Sequence, residues 1–384
     1  MVGSVDNPPK YAEFFCGAGM VRAGLGKAWD CALANDIDAM KCATYAQNWG
    51  GKHLIKGDIA ALDVEPLARP IDLYWASSPC QDFSLAGKGR GLNGARSGMF
   101  MEWARLIGQA GERGFGPRII AFENVTGLMT RNGGRDLRAV LETLIGLGYR
   151  VGGLEIDAAK FLPQSRPRLF IVGVRQDVLT EGLATKAASG VFHTAKIRSF
   201  VAKLPKKSAQ QWVWWAHDAP APRRASLRKI VDDTPNTNWL AEADVSRLLS
   251  MMSEPSQARV LKARGTGKTE IGMLYKRGRP DDNGLNRQRA EVRFDGLAGC
   301  LRTPAGGSSR QTIMFVKGNE TRARLLSSKE VARLMGLSDR FKMPERYNQA
   351  YQVAGDGVAV PIVSYLDRSL FQPILNAALR RKVA

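Results

Sequence analysis

The strongest constraint on the fold is a rhythm in the first 175 residues. Short apolar runs at 11–15, 31–35, 71–76, 119–122 and 169–174 read as buried strands. Amphipathic stretches at 20–29 and 39–48 read as helices. Such alternation predicts an α/β fold: a Rossmann-like, doubly wound, mostly parallel sheet with helices on both faces. Sheets of this kind place ligands at the carboxyl ends of their strands, so residues just after each apolar run are the first candidates for a site.

The full length of 384 residues suits one large domain and a smaller one. The sequence reads as residues 1–177, then a segment 178–345, then a tail 346–384 that packs back on the first part. The middle segment has basic runs, many turn residues and a tryptophan cluster (Trp212, Trp214, Trp215), without a clear period, so a smaller irregular domain is expected. Ser327 followed three residues later by Glu330 predicts a capped helix, and the apolar tail at 358–379 is expected to be helical.

A net charge of +20 and a pI near 10 point to a polyanionic partner, for which nucleic acid is the usual choice; the plainer alternative is a solubilising surface or a ribosome-like accessory protein. Hydrophobic content of 44% excludes a disordered chain, and no run of about 18 apolar residues occurs, so no membrane helix is expected. The first residues lack the basic-then-apolar order of a signal peptide, which leads to an expected cytoplasmic location. The five cysteines form no CxxC pair and do not cluster with the three histidines, so neither disulfides nor a metal site is expected.

Four segments carry candidate chemistry. EFFCGAG at 13–19 follows the first strand, and its glycines allow a ligand to approach the backbone and helix N–H groups. Asp36 ends the second strand, where an acidic residue commonly bonds the ribose of an adenosine cofactor. Asp58 falls where the third strand should end; it is either an adenine acceptor or a helix cap. SSPCQ at 77–81 presents Cys80 at the sheet edge, FENV at 122–125 brings Glu123, and QSRPR at 164–168 brings Arg166 and Arg168. A thiol becomes a strong nucleophile when a nearby charge lowers its pKa, and charged groups gathered in one crevice are costly unless used. The GTGKT run at 265–269 lacks the first glycine of a phosphate loop and follows no clear strand.

Taken in order, FFCGAG, SSPCQDFS, FENV and QSRPRLF resemble the motifs of DNA (cytosine-5) methyltransferases, and RLLSSKEVARLMGL and YQVAGDGVAVPIV resemble the family's C-terminal blocks. The resemblance covers about 11–175 and 322–370. It implies transfer of a methyl group from S-adenosylmethionine to C5 of a flipped-out cytosine in a specific double-stranded DNA sequence, through a covalent Cys80–C6 adduct. By the same resemblance Glu123 bonds N3 and the exocyclic amine, Arg168 donates to O2, and Arg166 supports the backbone or the catalytic loop. Phe15, Gly17, Gly19, Asp36, Ile37, Asp58, Ile59, Pro79, Met99, Gly357 and Val358 would surround the cofactor.

The Gly-rich, basic stretch 81–99 suits a loop closing over DNA, with Ser84, Lys88 and Arg90 near phosphates; Gln164 is placed at DNA as well. Within 178–345, expected to carry target choice, Arg287, Arg289, Arg293 and Arg310 are the candidates for groove contact. A cognate restriction endonuclease is an open partner, and a monomer close to the nucleoid is expected.

Three departures from the family pattern stand out. Asp356 replaces a usual Asn, Met20 follows the glycine motif in place of Gly, and Ile37 replaces an aromatic residue. An RNA cytosine-5 methyltransferase and a catalytically dead DNA-binding protein are the alternatives. The roughly 140 residues between the two halves count against the first, and the intact Cys80, Glu123 and Arg168 against the second.

Overall fold

The computed structural model describes residues 7–78, 98–232, 239–280, 285–303 and 310–383. The chain forms two compact units. The first comprises Met1–Asp157, Pro167–Ala221 and Val358–Ala384; the second comprises Ala158–Arg166 and Pro222–Gly357. The divisions at 221/222 and 357/358 therefore replace the expected ones at 177 and 345, and a short piece around Gln164 leaves the first unit altogether.

The first unit is built on a seven-stranded sheet. Its strands are β1 (Lys10–Phe14), β2 (Asp30–Asp36), β3 (Leu54–Lys56), β4 (Leu73–Ser77), β5 (Ile119–Val125), β6 (Tyr149–Asp157) and β7 (Pro167–Arg175), in the order β3-β2-β1-β4-β5-β7-β6. Neighbours from β3 to β5 are parallel, whereas β7 runs antiparallel to both β5 and β6. Central strands such as LYWAS of β4 are apolar almost throughout because helices cover both faces. The helices are α1 (Met20–Leu25), α2 (Ala39–Trp49), α3 (Gly98–Glu112), α4 (Arg135–Gly146), α5 (Ala195–Val201) and α6 (Lys206–Gln210). One large core joins the sheet to α3 and α4 through Phe122, Trp103, Leu141 and Leu144.

The tryptophan cluster belongs to this unit. The two-residue strands β8 (Ala184–Thr185) and β9 (Trp214–Trp215) pair with each other, and the fully buried Trp215 donates its indole N–H to Val172 O at 3.2 Å. Gly152 and Gly153 on β6 are glycines for the same reason: a Cβ on Gly152 would reach Trp215 Nε1 at 2.6 Å, and one on Gly153 would reach Trp212 Cη2 at 2.9 Å.

The second unit is more regular than its composition suggests. After α7 (Leu227–Ile230), α8 (Glu242–Ser250) and α9 (Glu254–Arg264), the chain forms β10 (Glu270–Pro280), β11 (Asn286–Arg293), β12 (Thr312–Lys317) and β13 (Glu320–Leu325), an antiparallel sheet in the order β11-β10-β12-β13. Leu274, Ala290, Val292, Met314 and Val316 on one face pack with Leu248, Met252 and Val260 of α8 and α9. Alternate arginines on β10 and β11 mask this apolar period in the sequence. The expected capped helix is α10 (Ser328–Leu334): Ser327 and Glu330 form the capping box, and Glu330 also pairs with Arg324 at 2.7 Å in a fully buried ion pair. Next come α11 (Tyr347–Asp356), the last helix of this unit, and α12 (Val360–Leu366) and α13 (Gln372–Val383) of the first unit. There α12 lies on α1 so closely that Gly24 has no room for a Cβ beside Val363, and Ser364 Oγ donates to Gly24 O at 2.6 Å.

Candidate active site

Chain reversal after β1 requires positive φ at Phe15 (56°), Gly17 (54°) and Gly19 (79°). Only glycine adopts that region without a steric penalty. The two glycines have different surroundings. A Cβ on Gly19 would lie 2.5 Å from Trp49 Nε1 and 2.8 Å from Tyr45, whereas one on Gly17 would have nothing within 4 Å. Trp49 donates its indole N–H to Ala18 O at 3.0 Å, which fixes the turn from beneath and leaves Gly17 facing open space. Beneath the turn, Glu13 is 1% exposed, and burial pushes its carboxyl well above the usual range against the opposing charge of Arg22.

The adjacent strand ends extend this cradle. Asp36 Oδ2 accepts the Gly17 N–H and Oδ1 the Asp38 N–H, both at 2.8 Å. Ile37, the next residue, is 64% exposed, an apolar face left uncovered at a strand end. Asn35 Nδ2 donates to Ile55 O and Gly57 O at 3.0 Å, which ties the end of β2 to the end of β3. Asp58 does cap the following turn, accepting Ala60 N–H at 2.9 Å through one oxygen, while the other oxygen has no part in the cap. Ile59 gives its side chain to the core, so only its backbone is available to a ligand. Met99 is half-buried in the first turn of α3, and Val358 is buried at the start of the last segment. Open backbone, a carboxylate held by the turn and an exposed aliphatic face form a donor set that fits a nucleoside.

A second group of residues gathers where β4, β5 and β7 meet. Ser77 is paired with Glu123, and Asn124 Nδ2 donates to Ser78 O at 3.1 Å, holding the chain as it leaves β4. Arg168 lies opposite Val125, and its Nε forms an ion pair with Glu123 Oε1 at 3.1 Å, with side-chain exposures of 14% and 9%. A carboxyl and a guanidinium so joined present hydrogen-bonding atoms of both kinds at the strand ends, while little water surrounds them. Trp49 and Asn124 were not singled out from the sequence; Asn124 could have been, from its place in FENV, but nothing local marks Trp49. Pro79, Cys80, Ser84, Lys88 and Arg90 lie outside the described residues.

In the second unit the expected residues separate into two kinds. Gln164 is fully buried: its amide donates to Leu334 O at 2.7 Å and accepts from Leu301 N at 3.1 Å. A residue so enclosed does not touch DNA, and the expectation that it would is corrected: it fastens the 158–166 segment into its unit. Arg166, 2% exposed, donates to Leu301 O and Gly355 O at 2.8 Å and to Gly357 O at 2.6 Å. Its role is to position backbone, including that of Gly357. Asp356 accepts the Thr303 hydroxyl, and a Cβ on Gly355 would meet Thr303 N at 2.8 Å. Arg293 forks onto Asp295, with Nε to Oδ2 at 2.9 Å, and Arg310 bonds Asn348 at 2.7 Å beneath the Tyr347 ring. Arg287 is exposed and Arg289 half-buried, both on β11.

The chain belongs to the C-5 cytosine-specific DNA methylase family, whose model matches residues 10–372. The activity that follows is methylation of cytosine in DNA at C5. It is 28% identical over 369 residues to the Type II methyltransferase M.PspPI of Psychrobacter sp. (strain TA137), covering 95% of this chain and 79% of that protein. With M.NgoPII of Neisseria gonorrhoeae it shares 27% identity over 92% of this chain and 93% of the other. With M.Eco47II of Escherichia coli identity rises to 35%, over 44% of this chain and 40% of that one. Among solved structures, the S. pombe Dnmt2 methyltransferase superposes with a TM-score of 0.59 at 17% identity, over 96% of this chain and all (100%) of that one. The Entamoeba histolytica methyltransferase EhMeth gives 0.61 at 14% identity, over 96% and 99%. At these identities the likeness is one of fold.

Proposed function

We propose that the enzyme methylates a flipped-out cytosine within a specific duplex sequence, with Cys80 as nucleophile and S-adenosylmethionine as donor. The observation that carries the reading is the Glu123–Arg168 pair at the ends of β5 and β7, beside the strand that leads to Cys80. When bound, the cofactor supplies a methyl group on a positively charged sulfur. Asp36 and the backbone around Gly17 hold its ribose and amino-acid portions, Ile37 covers one face of the adenine, and Asp58 accepts from the adenine amine. Gly19, Met99, Pro79, Ile59 backbone, Gly357 and Val358 complete the surroundings.

Cytosine C5 is a poor nucleophile. Addition of the Cys80 thiolate at C6 pushes the ring electron pair towards C5 and charge onto N3 and O2. Glu123 bonds N3 through a shared proton and accepts from the exocyclic amine, while Arg168 donates to O2; both interactions strengthen as charge develops. C5 then takes the methyl group, a base removes the C5 proton, and the returning electron pair expels the thiolate. Arg166 acts through the backbone that it holds. Because C6 lies inside the stack of a duplex, the base must first leave it. The second unit supplies target choice, and Ser84, Lys88 and Arg90 meet phosphates.

Trapping on duplex DNA containing 5-fluorocytosine tests this reading, since fluorine cannot leave as a proton and the adduct persists. The expected result is a covalent complex with the wild-type protein and none with Cys80→Ser, although the variant still binds cofactor. Retained methyl transfer in Cys80→Ser would remove this residue from the mechanism.

A further inference from the structure

In the second unit the pairing of β10 changes along its length. It bonds β12 only over Glu270–Leu274, but β11 from Met273 to Pro280. Beyond Leu274 the two strands therefore continue as a two-stranded ribbon, with β11 at the sheet edge and about six residues, or roughly 20 Å, on each strand. In this ribbon Arg277 stands directly opposite Arg289, and Arg279 opposite Arg287. Like charges directly opposite one another destabilise a ladder, so the Arg277–Arg289 pairing carries a cost that the nearby Glu291 offsets in part.

Arg277 is oriented. It lies 5.5 Å above the Tyr275 ring and 3.6 Å from Glu291, and is still 52% exposed. These contacts show that Tyr275, Arg277 and Glu291 share one face, and the register puts Arg289 there too. The opposite face carries the Leu274, Ala290 and Val292 side chains that pack on α8 and α9.

We infer that this ribbon enters the major groove of the target duplex and that Arg277 and Arg289 read guanine there. The inference rests on the reading of the second unit as the target-selecting part. Two strands with side chains are roughly 10 Å across, which fits a major groove about 12 Å wide and not a minor groove of about 6 Å. A guanidinium fork matches O6 and N7 of guanine, and Arg277 and Arg289 place two such forks on one face of the ribbon. Arg293, bound to Asp295, and Arg310, bound to Asn348, then have structural roles.

The experiment first maps the wild-type site by bisulfite sequencing and then replaces its guanines one at a time with 7-deazaguanine, which removes N7 without disturbing base pairing. At one or more guanines the wild-type kcat/KM should fall about tenfold or more. Arg289→Ala or Arg277→Ala should lose a similar factor on the natural site and become insensitive to the deaza substitution at that guanine. Arg289→Lys, which keeps the charge but not the fork, should lose the same discrimination while keeping the salt dependence of binding. If the alanine variants weaken specific and non-specific DNA equally, with the log–log salt slope reduced by about one, the arginines clamp phosphates and the inference is overturned. A site-specific wild-type enzyme indifferent to 7-deazaguanine overturns it as well. A wild-type enzyme that methylates cytosine regardless of sequence defeats the target-selection reading itself.

Discussion

Replacing Gly19 by alanine tests whether the turn after β1 is shaped by steric need. At φ 79° an L-residue pays about 1–2 kcal/mol for the left-handed conformation. The new Cβ would also stand 2.5 Å from Trp49 Nε1 and 2.8 Å from Tyr45 Cε2, both on rings packed beneath the turn. Relief requires moving the indole off Ala18 O or shifting the turn, an overpacking cost of about 1–3 kcal/mol. The total is roughly 2–5 kcal/mol, equivalent to about 5–15 °C in the thermal midpoint of a unit of this size. Gly17→Ala is the matched control: it carries a similar φ, 54°, but nothing lies within 4 Å of its Cβ. It should lose only about 1–2 kcal/mol, yet weaken cofactor binding, because its new methyl group occupies the space offered to the ligand. Differential scanning calorimetry and titration with S-adenosylhomocysteine measure the two effects separately. Equal midpoints for wild type and Gly19→Ala would refute the steric argument, and unchanged affinity in Gly17→Ala would refute the placement of the ligand.

Glu123→Gln should reduce kcat by about a hundredfold or more while cofactor affinity stays within about twofold of wild type, as single-turnover kinetics and calorimetry would show. Arg324→Met leaves Glu330 charged and fully buried, and should cost about 3–5 kcal/mol, read from denaturant unfolding of the second unit. Burial, assisted by the His217 charge, lowers the His193 pKa to about 4. The unfolded chain binds that proton from about pH 6.5 downward and the folded chain does not, so stability falls as pH drops from about 6.5 to 4. In His193→Asn, thermal midpoints over that window should decline less steeply than in wild type.

The sequence disclosed those parts of the fold that depend on local pattern. The runs that became β1, β2, β4, β5 and β7 were legible because a buried strand is apolar whatever its neighbours, and the Ser327–Glu330 cap because its partners are three residues apart. Strand β6 was not, since its paired glycines answer to Trp212 and Trp215 some 60 residues away. Strand direction is equally invisible locally, so the antiparallel setting of β7 was not anticipated. At the site, residue type suggested chemistry for Glu123 and Arg168, which the fold brings into contact, but misled for Gln164: a buried amide bonding backbone at both ends has the same signature in sequence as one that reads a base.

With target choice assigned to the second unit as proposed, the discontinuity of the two units has a consequence for how new target specificities would arise. A recombination that exchanges residues 178–310, the stretch that composition alone would suggest, cuts Trp215 and β9 out of the first unit and leaves α10 and α11 of the second behind. Breakpoints that respect the architecture lie near 222 and 357. Even then the incoming segment must supply backbone that the resident Gln164 and Arg166 can grip, at the positions of Leu301, Leu334, Gly355 and Gly357. On the proposed assignment of target choice to the second unit, specificity would pass as a cassette with a fitting requirement, and successful exchanges should be confined to donors whose turns preserve those carbonyls.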